Sequence, residues 1–176
     1  MLRSIRRPGL VAGTTLAAAA LAGAATVALA GSASASDHQP VATQLSGTFS
    51  FHACPSGTPA GDGCLTDHLT GTLPGLGDVT GLFEVHIAFG SFAADGCGEI
   101  DKTGAFTAAD GSTLRVHATG LFCNASATAA YDYRVTGGTG KARHARGEGI
   151  WLVPPPATFD GTNGTGPELF HGSLSL

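Results

Sequence analysis

Charged and histidine side chains alternate with apolar ones along three segments of the chain, which are Phe83–Phe89, Leu114–His117 and Tyr131–Val135. On a β-strand this spacing puts all the polar members on one face. Proton transfer needs an acid and a base, and a developing oxyanion or carbocation needs a charge nearby. The candidate catalytic residues that supply these groups are Glu84, His86, Arg115, His117 and Arg134.

The alternation leaves two orientations open. In the first, the apolar partners, such as Phe83 and Val85, fill an interior and the polar set is solvated, which is the commoner arrangement in small barrels. In the second, the polar set lines a pocket and forms a mixed cluster of acid, base and cation. Only the second orientation gives the five candidates a shared active site.

Other kinds of chemistry find little support in the sequence. No serine lies in a Gly-x-Ser-x-Gly elbow, and no cofactor motif is present. Among the seven histidines, only His86 has a potential ligand, Glu84, at same-face strand spacing, whereas zinc needs three or four converging donors. We therefore expect neither a metal nor a cofactor.

The elements that must position the candidates are β-strands. After residue 40 no stretch keeps a helical spacing of apolar residues, and short β-branched and aromatic segments are separated by Gly, Asp, Asn and Pro. The predicted strands are Gln44–Ala53, Leu65–Leu73, Val79–Phe89, Glu99–Ala108, Ser112–Cys123, Ala130–Thr136, Ala145–Val153 and Glu168–Leu176.

The cysteines support a hairpin order for these strands. A two-residue turn at Asp110-Gly111 would bring Cys97 opposite Cys123, apart from a slip of one residue. The loop 55–63 likewise has a cysteine at each end. The predicted disulfides are Cys54–Cys64 and Cys97–Cys123.

Eight antiparallel strands in up-and-down order have no exposed edge if the first and last strands pair. The sequence therefore favours an eight-stranded antiparallel β-barrel, with a β-sandwich built from the same strands as the alternative. Two connections, 55–63 and 154–167, are longer than a hairpin needs and are candidates for lids over one end of the barrel.

The first 36 residues are predicted to be a cleaved signal peptide. They contain a basic start, a long Ala-rich apolar run and the small-residue site Ala33-Ser34-Ala35, so residues 37–176 form a single secreted domain. Three of the nine basic residues but none of the 13 acidic ones precede this domain, which leaves it a net charge of −7. Such an acidic domain is a poor partner for nucleic acid or an anionic membrane.

The segment Tyr133-Arg-Val-Thr-Gly-Gly-Thr-Gly-Lys-Ala-Arg-His-Ala-Arg-Gly147 resembles the Gly-Gly-Thr-Gly corner motif of dirigent proteins, and is similar to the corresponding turn of allene oxide cyclases. The resemblance implies an eight-stranded barrel that binds a small apolar molecule and steers a cyclisation or coupling without a cofactor. It adds Arg146, from the Ala-Arg-Gly element, to the candidate catalytic residues. Proteins of this barrel group often form dimers or trimers, so a homo-oligomer is also implied.

A second hypothesis makes the chain a non-catalytic extracellular domain whose loops bind a protein or a cell-surface polymer. The low content of charged residues, 12%, favours neither hypothesis over the other.

Overall fold

The computed structural model describes residues 38–176, and the predicted signal peptide lies outside this range. Nine β-strands follow one another in this part of the chain. In chain order they are β1 (Gln39–His52), β2 (Gly63–Leu73), β3 (Gly77–Ile87), β4 (Cys97–Ala108), β5 (Thr113–Cys123), β6 (Thr128–Gly138), β7 (Arg146–Val153), β8 (Thr158–Phe159) and β9 (Asn163–Ser175). Within residues 38–176, no helix is long and apolar enough to cross a membrane.

Eight of the strands form a closed antiparallel barrel. Each of β1 to β7 pairs with its neighbour in the chain, β7 pairs with β9, and β9 pairs with β1 along most of its length. The two-residue β8 pairs with β9 alone, on the edge of β9 that pairs with β7 further along the strand. The predicted eight-stranded up-and-down barrel is thus confirmed, and the sandwich alternative is wrong. The largest differences in strand bounds are at β1 and β9, which both begin five residues earlier than predicted.

The apolar side chains of the alternating segments fill the interior of the barrel. Every second residue of β3, from Val79 to Ile87, is buried, and the residues between them are exposed or half-buried. Large aromatic side chains pack together in one half of the lumen. Trp151, Phe83, Phe106 and Phe170 pack there edge to face or stacked at centroid distances between 5.0 and 5.9 Å. Of the two orientations left open by the sequence, the structure therefore has the apolar one.

The turn between β4 and β5 differs from the prediction by one residue. Ala108 and Ser112 face each other, and the backbone N–H of Ala108 donates to the carbonyl of Ser112 at 2.9 Å, which leaves a three-residue loop. Gly111, the third loop residue, has φ +80°, as this loop type requires. Cys97 and Cys123 therefore lie directly opposite each other, and no bulge is needed between them.

The Gly-Gly-Thr-Gly segment forms a corner at the same end of the barrel as this turn. Thr139 lies against Thr113, with its backbone N–H donating to the Thr113 carbonyl at 2.9 Å. Gly140 has φ +58°, and a Cβ on it would collide with Ser112 Oγ. The corner thus needs glycine for both its conformation and its close approach to β5.

Both predicted disulfides are present, and both lie at the opposite end of the barrel. Cys54–Cys64 joins the end of β1 to the start of β2, and Cys97–Cys123 joins β4 to β5. Each bond therefore holds two neighbouring strands together at the same rim.

Replacing Cys54 and Cys64 together by alanine should lower the free energy of unfolding by about 2 kcal/mol, because the cross-link restricts a short loop in the unfolded chain. Urea unfolding followed by circular dichroism, without reductant, measures the loss. An unfolding free energy equal to that of the wild type would show that this bond adds nothing to stability.

Candidate functional site

The residues predicted to be catalytic lie on the outer surface of the barrel. Glu84 accepts hydrogen bonds from His52 Nε2 and Thr66 Oγ1 at 3.2 and 3.1 Å, and His86 pairs with Asp62 at 2.8 Å. Among these candidates the structure brings together His117 and Arg134, whose Nδ1 and guanidinium nitrogen are 3.4 Å apart.

The two remaining candidates, Arg115 and Arg146, are exposed near the corner end of the barrel. All six side chains are exposed or half-buried, and none of them belongs to the interior of the barrel. A catalytic role for them would have to operate on the outer surface, and it stays a prediction.

A cavity of about 290 Å³ occupies the half of the lumen that the large side chains leave open. It lies at the disulfide end, because it is lined by the ends of the strands that meet there. Its wall is mostly aromatic and aliphatic, and it includes Phe49, Phe51, Leu65, Val85, Ile87, Ile100, Phe122, Ala129, Tyr131 and Val153. Small residues make the space, since Gly47, Gly166 and Ala129 line it where larger side chains would fill it.

One of the two long loops reaches this cavity. Pro154, Pro156 and Phe159, from the connection between β7 and β9, line its mouth, where Phe159 packs against Phe49 at a centroid distance of 5.9 Å. The other loop, 55–63, contributes no lining residue. Of the two long loops expected to act as lids, the one that lines the cavity is therefore 154–162.

Three charged side chains are buried together at the floor of the cavity. The Lys102 ammonium of β4 donates to Asp67 Oδ2 of β2 and, at 2.7 Å, to Glu168 Oε2 of β9. Their relative exposures are 1%, 2% and 6%. A buried charge is tolerated only when it is paired and hydrogen-bonded, and this ion cluster meets that condition through contacts across three strands.

Trp151 forms the base of the same cluster. Its indole N–H donates to Glu168 Oε2 at 2.6 Å, and the Lys102 Nζ lies 4.1 Å from its ring centroid, within range of a cation–π contact. The tryptophan thus joins the packed half of the lumen to the charged floor of the open half.

One polar atom of the cluster has no partner. Asp67 Oδ1 is buried and makes no hydrogen bond to any residue from 38 to 176. Asp67 and Gly47 both line the cavity, and Oδ1 is 3.5 Å from the position that a Cβ on Gly47 would occupy. The floor therefore holds an unused hydrogen-bond acceptor beside Gly47.

Burial also changes the proton affinity of the floor. Burial raises the pKa of Glu168 to about 7, the neighbouring Asp67 adds to this rise, and Lys102 opposes it. The pKa of the Tyr131 phenol is raised well above its usual value of 10, mainly by burial and also by the charge of Glu168. Glu168 is therefore suited to exchange a proton near neutral pH, whereas Tyr131 stays protonated.

The arrangement suits chemistry on an apolar molecule. Aromatic walls can hold a carbon skeleton in one folded shape and stabilise positive charge that develops on it. The floor offers a carboxyl group able to transfer a proton and an ammonium able to stabilise negative charge. In the described range, no three His, Cys, Asp or Glu side chains converge as a metal ion would require.

The residues of this floor are not among those predicted from the sequence, although a signal for them exists. Lys102 is in phase with Ile100 and Phe106, and Asp67 is in phase with Leu65 and Leu69, so both are charged residues on the apolar face of a strand. Glu168 stands in the same relation to Phe170. A charged residue on the buried phase of a strand is the pattern that would have identified them.

Comparison with known proteins finds a likeness among solved structures. No family model matches the chain, and no curated protein matches it. Among solved structures, a pterocarpan synthase dirigent protein is similar, with a TM-score of 0.46 and 16% sequence identity over 79% of this chain and 86% of that one.

Proposed function

We propose that the chain is a secreted binding barrel that holds a small, largely apolar molecule in the lumen cavity and steers a cyclisation or coupling of it without a cofactor. The observation that supports this proposal is the combination of an aromatic-walled cavity with a buried ion cluster at its floor. An interior needed only for stability would be filled, because empty volume costs packing energy. Shape and a few placed charges are sufficient for such steering.

Ligand binding is tested by thermal unfolding of residues 37–176 with a panel of terpenoid, polyketide and fatty-acid probes. A ligand present at 100 times its dissociation constant stabilises the folded state by about 2.7 kcal/mol. We expect at least one probe to raise the melting temperature by about 5 °C or more, in a concentration-dependent way.

The variant Ala129→Phe supplies the matched test of where the probe binds. Ala129 lines the cavity, whereas its neighbour Ala130 is exposed on the outer face of β6. Ala129→Phe should abolish the shift and Ala130→Phe should preserve it. No shift with any probe, or equal loss in both variants, would contradict binding in the cavity.

The second candidate function is a non-catalytic extracellular domain that binds a protein or a cell-surface polymer. It is favoured by exposed apolar side chains on the outer surface, where Leu121 of β5 and Ile150 and Leu152 of β7 are 52%, 51% and 37% exposed on the two strands that flank β6. Absence of any ligand-induced shift in the assay above would favour this alternative.

A further inference from the structure

The floor of the cavity holds one buried hydrogen-bond acceptor that no residue from 38 to 176 satisfies. Two of the three N–H groups of Lys102 are used by Asp67 and Glu168, and the ammonium also lies against the face of Trp151. The Trp151 indole N–H is used by Glu168. That buried acceptor is Asp67 Oδ1.

The floor as a whole carries a net negative charge, as does the Asp67 carboxylate to which this acceptor belongs. Two carboxylates face one ammonium, so the cluster is negative when all three groups are ionised. A third carboxylate placed against Asp67 would be repelled in a buried setting where charges are poorly screened. An ether oxygen there would leave the acceptor unpaired, and burying it unpaired is costly.

We propose that Asp67 Oδ1 is the polar anchor of the cavity and that it selects apolar molecules carrying one hydroxyl or amine group over those ending in an ether or a carboxylate. This inference rests on the proposed binding function and names the ligand class for the same cavity. The apolar part of the molecule packs against the walls, and its single donor reaches the floor beside Gly47.

The test uses probes that differ only in their polar group. Geraniol, geranyl methyl ether, geranylamine and geranic acid share one carbon skeleton, and decan-1-ol, its methyl ether, decylamine and decanoic acid form a second series. Binding is followed at pH 8 through the fluorescence of Trp151, the one tryptophan in the chain. Because the alcohol can donate a hydrogen bond to the charged Asp67 carboxylate and the ether cannot, we expect the alcohol to bind about tenfold or more tightly than its methyl ether. The amine should bind at least as well as the alcohol, and the carboxylate no better than the ether.

Asp67→Asn tests the anchor itself. The asparagine oxygen can keep the contact with Lys102 and turn an amide N–H towards the cavity, so the preference for alcohol over ether should fall to about onefold. The control Asp132→Asn removes an exposed carboxylate from the outer face of β6 and should keep the wild-type preference.

The outcomes separate the inference from the function on which it rests. If alcohol and ether bind the wild-type protein equally, the inference is wrong and the proposed binding function survives. If no member of either series binds, the inference is wrong, and the wider probe panel described above decides the proposed binding function separately. The comparison between ligands on the wild-type protein decides the inference even if Asp67→Asn does not fold.

Discussion

Replacing Lys102 by methionine is expected to lower the free energy of unfolding by about 3 to 5 kcal/mol, because two buried carboxylates would lose the cation between them. Methionine preserves most of the volume and the flexible stem, so the loss reports the charge rather than a void. Urea unfolding at pH 8, followed by circular dichroism, measures it.

Two further variants show whether the loss comes from uncompensated charge. Lys141→Met removes a lysine that is 63% exposed and paired with Asp110 at 2.9 Å, and it should leave stability unchanged. Adding Asp67→Asn and Glu168→Gln to Lys102→Met should recover most of the loss, since no buried charge then remains. Equal stability of Lys102→Met and the wild type would show that the Lys102 ammonium is not needed to compensate the two buried carboxylates.

The free energy of unfolding should fall as the pH rises from about 4.5 to about 7. The Glu168→Gln variant should lack the part of this fall that comes from the Glu168 carboxyl. The pKa of Glu168 is about 7 in the folded chain against its usual 4.5, so the folded chain holds this proton more tightly than the unfolded chain does. Its contribution is therefore complete below pH 4.5 and is lost by pH 8. A shift of this size corresponds to about 3 kcal/mol.

The measurement is the difference in unfolding free energy between the wild type and Glu168→Gln across pH 4.5 to 8.5, which cancels the titration of the other groups. Glu99→Gln, at an exposed position on β4, serves as the control and should give a flat difference. A flat difference for Glu168→Gln as well would mean that this carboxyl titrates normally in the folded chain.

The order and pairing of the strands could be predicted from the sequence because the signals for them are local. β-Branched runs mark the strands, glycine and aspartate mark the turns, and the cysteines at 97 and 123 fix one register to within a residue. The one-residue difference in register comes from the turn, because a three-residue loop with Gly111 and a two-residue loop have similar sequences. Strand ends were less certain, since pairing between β1 and β9 extends both strands beyond their apolar cores.

The site could not be predicted in the same way because its members come from strands far apart in the chain. Asp67 and Glu168 are separated by about a hundred residues, and only closure of the barrel places both beside Lys102. The polar alternation that drew attention to Glu84 and His86 instead marks the solvated outer surface. Whether the lumen is full or open depends on how large and small side chains combine across eight strands, which no single segment reveals.

Closure through β1 and β9 also constrains how this chain can reach its native state. Gln39 pairs with Leu174, so the strand that completes the cylinder is the last one to be synthesised. Until then β1 carries an unpaired row of backbone groups open to another chain, and contacts of such long sequence separation form slowly. An unfinished or truncated chain is thus the form of this protein most exposed to aggregation.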